Sequence, residues 1–257
     1  NIVVISVPNL KTAMMNYGLF CFLILLCFPV AAICQPADYS KIDAHARSVR
    51  YSQNQDLHSL AAVLSEGCQT EKEKTRAFFV WICDNIKYDV KTFENRKDID
   101  PEKTHAMQTP ERVLRSRKAV CEGYSNLFVA LCREAGIKAM VVSGVSKNDR
   151  GIVSRTGHAW CIVRADGTWG LVDPTWGAGD VDADDGKYKE RFKEVYFFTS
   201  PAVLILDHYP KDPLFQLLAV PITLEAFKQP AANLKTKLAQ QLAEEARPGY
   251  AQLSDSL

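Results

Sequence analysis

A chain of 257 residues with 47% hydrophobic content is long enough for one sizeable core, or for a core with a small appendage. Its 31 basic residues nearly match its 30 acidic ones, and setting aside Lys11, the only charged residue within positions 1–34, leaves 30 against 30. That balance excludes nucleic-acid binding by bulk electrostatics.

Residues 18–34 form an apolar run broken by Pro29 and closing on small residues, the pattern of a secretory leader with Met14 or Met15 as its start. The run is shorter than the roughly 20 residues that span a bilayer. Cleavage before Gln35 and an exported chain, periplasmic or extracellular, are therefore expected. Two rival routes lead to a membrane instead: an uncleaved anchor, or a lipid on Cys34. The expected organisation is a leader with an upstream extension over 1–34, a main domain over 35–222 and a helical tail over 223–257.

In chain order, DLHSLAAVLSEG and TEKEKTRAFFVWICDNI show helical spacing, and Thr70 with Glu73 forms a capping box at the start of the second. Two helices are thus expected before residue 87. The polar stretch from Tyr88 to Gln108 reads as a long surface loop, and Pro110 opens a short helix in TPERVLRSRK. From Cys121, the residues Tyr124, Phe128, Leu131 and Ala135 fall on one helical stripe, with Gly136 at the expected C-terminal stop. KAMVVSGVS is a strand. Beyond it, GHAWCIVRADGTWGLVDPTWGAG reads as two strands joined by Asp166 and Gly167, a strong two-residue hairpin signal. The tail reads as helix punctuated by Pro230 and Pro248, with LKTKLAQQLAEEA its clearest part.

Beyond residue 34 the cysteines are 68, 83, 121, 132 and 161, an odd number without a CxxC spacing. A disulfide scaffold or a zinc site is not supported by that pattern. His158 and Cys161, three apart on a strand, point to opposite faces and cannot chelate one metal without a bend. GDVDADDG, residues 179–186, imitates a calcium loop through Asp180, Asp182 and Asp184. Its glycine falls one place late and Arg191 stands where a bidentate Glu belongs, so it reads as a solvated acidic loop.

Cys121 marks a helix start, where backbone N–H groups and the dipole stabilise a thiolate. A lone cysteine in apolar surroundings is more often core, the reading that suits Cys132. The hairpin register makes opposed residues sum to 333, pairing Trp160 with Asp173 and His158 with Thr175. His158 and Asp173 then share one face as diagonal neighbours, close enough for a carboxylate to orient an imidazole. Thiol, imidazole and acid are the parts of covalent acyl chemistry.

At this point the chain resembles the transglutaminase-like superfamily, through RAFFVWICDNIKYDV, TPERVLRSRKAVCEGYSNLFVALCREAGI, GHAW, LVDPTWGAG and VYFFTSPAVLILDHYPKDPLFQLL, spread over about residues 70–220. The resemblance implies an α+β, papain-like fold with N-terminal helices packed on an antiparallel sheet. It implies Cys121 as nucleophile, His158 as general base and Asp173 as the residue that orients it. The implied activity is attack on a protein or peptide amide through a thioester, ending in hydrolysis or in transfer to an amine. No cofactor is implied. Where relatives read HAWN, this chain has Cys161, on the strand face away from His158. It also lacks the tryptophan that cross-linking members carry shortly before the nucleophile, which favours hydrolysis. The oxyanion is assigned to the Cys121 backbone N–H and one further donor. Trp160 shares the His158 face and is a candidate substrate contact, while Trp160, Trp169 and Trp176 all have a packing reading as well. Tyr124 is read as structural. Two alternatives stand beside the enzyme: a non-catalytic protein-binding module of the same fold, and a hydrolase of cell-wall peptides.

Overall fold

The computed structural model describes residues 38–52, 55–148, 150–182, 186–230 and 232–233. The expected leader over 1–34 and the LKTKLAQQLAEEA segment lie outside the described residues. Within them the order is α1 (Ser40–Ser48), α2 (Leu57–Leu64), α3 (Glu71–Asn85), β1 (Lys87–Tyr88), α4 (Val90–Glu94), α5 (Pro101–Met107), α6 (Pro110–Ser116), β2 (Lys118–Ala119) and α7 (Cys121–Glu134). There follow β3 (Lys138–Lys147), β4 (Val153–Ala165), β5 (Thr168–Val172), α8 (Pro174–Ala178), β6 (Gly179–Val181), β7 (Tyr188–Glu190), α9 (Pro201–Leu204), β8 (His208–Pro210) and α10 (Leu224–Phe227). Helices thus gather in the N-terminal half and the main sheet in the C-terminal half, the α+β arrangement that the resemblance implies.

The α3 helix starts as its sequence dictates. Thr70 accepts from the Glu73 N–H, and the Glu73 carboxylate reaches back to the Thr70 N–H. Its stretch from Thr75 to Cys83 is buried on every side, which makes it the central helix of the core. One charge lies in that core. Arg76, 2% exposed, donates to Asp43 at 2.7 Å and to Glu194 at 2.5 Å, and the rings of Tyr39 and Phe197 lie 5.0 Å from its guanidinium carbon. The fork ties α1 and the 3-10 turn Glu194–Tyr196 to α3.

The main sheet runs β5-β4-β3-β8 and is antiparallel throughout. At its hairpin, Asp166 and Gly167 take φ of 51° and 77°, the two positive values a type I′ turn requires. The Asp166 carboxylate also accepts from the Glu71 and Lys72 N–H groups, which ties the turn to the start of α3. Cys161, Val163 and Val172 enter the core with α3 and α7. On the opposite sheet face, Val142, Trp160, Ile162, Leu171 and Leu204 form a second cluster. The sheet is covered on both sides.

Three expectations are corrected. The stretch from Tyr88 to Gln108 holds two short helices, α4 and α5, begun by Asp89 and Asp100, whose carboxylates accept first-turn N–H groups. A further helix, α1, precedes the two expected before residue 87. The hairpin ladder keeps the expected sum of 333 from Ala165–Thr168 to Cys161–Val172 and stops there. Trp160 does not pair with Asp173, nor His158 with Thr175, because Asp173 caps α8 and Pro174, without an N–H, begins it.

Candidate active site

Because β5 leaves the sheet after Val172, β4 has no partner on that side beyond Cys161, and His158 projects at this opening. On its other side His158 pairs with Gly144, which also pairs with Pro210 of β8. That position needs glycine: a Cβ there would meet the Tyr209 carbonyl at 2.1 Å and the Trp160 ring at 2.6 Å.

Asp173 reaches the imidazole from the α8 cap. His158 Nε2 donates to Asp173 Oδ2 at 2.7 Å, with the side chains 7% and 0% exposed. The other carboxylate oxygen, Oδ1, accepts from the Thr175 N–H at 2.8 Å and the Trp176 N–H at 3.0 Å. The same residue therefore caps a helix and orients a ring. Burial opposes its charge, but the charges and hydrogen bonds of His158 and His208 prevail and hold the carboxyl well below the usual range. For His158 burial likewise opposes the charge. Asp173, and to a lesser degree the Cys121 side chain, outweigh it and push the pKa up to about 10.

Cys121 is half-buried at the first position of α7. Its side chain is among the groups that raise the His158 pKa, after Asp173. Since Nε2 is committed to Asp173, Nδ1 is the ring nitrogen left for the thiol. The preceding Val120 is extended, supplies no capping side chain, and donates its N–H to the buried Gln108 Oε1 at 3.0 Å. Gln108 thus fixes the bend that presents the cysteine, a role no local pattern announces. The other four described cysteines differ. Burial raises the thiols of Cys68, Cys83, Cys132 and Cys161. Cys161 donates to the Ser125 carbonyl of α7 at 3.7 Å, away from His158 as strand parity requires.

Trp160, the candidate substrate contact, is 1% exposed, with its ring stacked on His158 at 5.9 Å. Trp169 pairs with Arg164 near the turn, outside the site. Trp176 is half-buried, its ring 5.4 Å from His158. Tyr124 donates to the Ile86 carbonyl at 2.6 Å, in keeping with a structural role. In the acidic loop Asp180 pairs with Lys193 and Asp182 with Lys189, while Asp184 lies outside the described residues.

One residue was not anticipated. His208, at the start of β8, donates from Nε2 to the same Asp173 Oδ2 at 2.9 Å, while its Nδ1 faces Asp207 Oδ1 at 2.5 Å. Only the Asp-His dipeptide in LILDHYP hinted at it. His158, Asp173 and His208 bring potential metal-ligand atoms within 4.8 Å of one another. Both Nε2 atoms and Oδ2 are engaged in hydrogen bonds that an ion would have to displace.

A cysteine at a helix start and a sheet histidine held by an acid, on a helix-then-sheet frame, are what the resemblance to the transglutaminase-like superfamily implies, and part of the chain matches that superfamily's model. The family model described as Transglutaminase-like superfamily matches residues 58–174. The branch is the one that resembles kyphoscoliosis peptidase. Kyphoscoliosis peptidase of Mus musculus is 36% identical over 198 residues, covering 74% of this chain and 28% of that protein. Hillarin of Drosophila melanogaster is 31% identical over 209 residues, covering 75% of this chain and 24% of that protein. The chain therefore corresponds to about a quarter of the length of these relatives. A solved structure described as a TGase is 20% identical, over 65% of this chain and 40% of that one, at a TM-score of 0.36.

Proposed function

We propose that the chain is a thiol enzyme that attacks protein or peptide amides through Cys121, with His158 as base and acid and Asp173 as the residue that orients it. The observation carrying this reading is the buried His158–Asp173 contact at 2.7 Å, with Cys121 half-buried at the first position of α7.

In the reaction the Cys121 sulfur bonds to the substrate carbonyl carbon. The uncapped first turn of α7 offers the Cys121 N–H to the developing oxyanion. The C–N bond then breaks, and His158 gives its proton to the departing amine, leaving a thioester. Water, giving up a proton to His158, releases the acid and the thiol. A primary amine in place of water makes an isopeptide. Hydrolysis is the favoured outcome, supported by the absence of a tryptophan shortly before Cys121 and by the name of the mouse relative, a peptidase. Export is proposed from residues 1–34 alone.

Incubation with a casein-type substrate and a labelled primary amine tests the reading, with Cys121→Ala as control. Fragments without label mean a peptidase, and label without fragments means a transferase. If neither forms across several substrates, the chain is a binding module of the same fold.

A further inference from the structure

We propose that His208 is a positioning residue, acting through Asp173 to hold the carboxylate that orients His158. The inference rests on the triad reading above and adds a member to it from a strand that reading does not use.

Asp173 Oδ2 accepts two imidazole N–H groups, from His158 at 2.7 Å and His208 at 2.9 Å, while Oδ1 is filled by two backbone N–H groups. The carboxylate is fully buried, so its place is set by these four donors. His208 is itself clamped. Nε2 faces Asp173 at 2.9 Å and Nδ1 faces Asp207 at 2.5 Å, so the ring is held at both nitrogens and its Nε2–H is aimed at Oδ2. Asp207 in turn accepts from the Tyr196 hydroxyl at 3.4 Å. The titratable and charged groups around His208 are thus Asp173 from the α8 cap, Asp207 beside it, His158 on β4 at 5.1 Å between rings, and Tyr196 at 6.0 Å. Lys147 on β3 acts on Asp207. The Trp160 and Trp176 rings close the remaining sides at 5.1 and 4.5 Å.

The catalytic cycle explains why a second histidine matters. When His158 gives its proton to the leaving amine, Asp173 loses its charged partner while still buried, and a buried unpaired carboxylate is strongly unfavourable. His208 takes no part in that proton transfer. It keeps an N–H donor on Oδ2 through the step, so the carboxylate does not turn away.

Two neutral substitutions separate the ring's two bonds. In His208→Gln the amide nitrogen falls near the Nε2 position and can still donate to Asp173. In His208→Asn it falls near Nδ1 and can donate only to Asp207. Two readouts are followed in each folded variant: the rate of iodoacetamide labelling at Cys121, and the NMR titration midpoint of His158. The expected result is labelling within about threefold of the parent for Gln, and a loss of about tenfold or more for Asn, the scale of a hydrogen bond to a charged group. The His158 midpoint should be kept in Gln and fall by at least one pH unit in Asn. Equal behaviour of the two variants in both readouts, or a folded Asn variant that matches the parent, overturns the role. If the Asn variant does not fold, ¹⁵N shifts of the parent decide: a proton on His208 Nε2 at pH 8 supports the proposal and a bare Nε2 overturns it. Failure of the triad reading is distinct. It would appear as Cys121 labelling unchanged by His158→Ala, while the NMR midpoints still judge His208.

Discussion

His158 and Asp173 are joined by a 2.7 Å hydrogen bond even though the strand ladder ends before it reaches either of them. The α8 cap, rather than sheet pairing, brings them together. This pair makes stability depend on pH in a defined direction. The folded His158 pKa, about 10, lies above the unfolded value of about 6.5. Its contribution is therefore complete below about pH 6.5 and is lost as pH rises toward 10. Asp173 works the other way: its pKa is lowered, so its contribution is present above about pH 4 and is lost as acid is added. Denaturant unfolding across pH should show a plateau near pH 4 to 6.5 and an alkaline decline. His158→Gln should flatten that decline, and an identical decline in the variant would assign it to other groups.

Cys121 should be the first cysteine to be alkylated. It stands at a helix start beside a cationic imidazole, whereas burial holds up the thiols of Cys68, Cys83, Cys132 and Cys161. Brief iodoacetamide treatment at about pH 6, read by mass spectrometry of tryptic peptides, should label Cys121 well ahead of the other four. His158→Ala should slow it. Equal labelling of Cys121 and Cys161 would falsify the ion-pair mechanism.

Gly144→Ala should loosen the site from behind. The added methyl has nowhere to go between the Tyr209 carbonyl and the Trp160 ring. Overpacking of this kind costs about 1–3 kcal/mol, and here relief requires β8 to move away from β3. Both the unfolding midpoint and the Cys121 labelling rate should therefore fall. A variant that loses stability but keeps full labelling would show that β8 can shift without disturbing the triad.

Arg76→Met probes the core charge. Removal of the guanidinium leaves Asp43 half-shielded and its fork empty, a loss of about 3 kcal/mol. The value belongs at the low end because Glu194, 64% exposed at its side chain, can be rehydrated. Thermal unfolding should move down markedly while labelling of Cys121 in the folded protein changes little. A reversed pattern would place Arg76 in the site rather than in its support.

What could be read beforehand was local. Thr70 and Glu73, Asp166 and Gly167, and the stripe beginning at Cys121 each encode their element within a few residues, and the structure contains all three. The α4 and α5 helices carried signals too, in Asp89 and in Asp100 before Pro101, but their polar composition masked them. The α1 helix gave no such signal, since Tyr39 provides no capping bond. His208 was illegible for a different reason. It lies on a three-residue strand without periodicity, and its meaning comes from meeting Ser146, Asp173 and Asp207 at once.

The late position of β8 has a consequence for how the protein is made. A nascent chain that has emerged as far as Thr199 already contains Cys121, His158 and Asp173, yet lacks the strand that closes the sheet edge and carries His208. The last brace of the site arrives only after its chemical parts have been synthesised. The main sheet beside β3 is therefore completed only when the polypeptide has passed Pro210, so its edge strand and His208 are added together at the end of the order of synthesis.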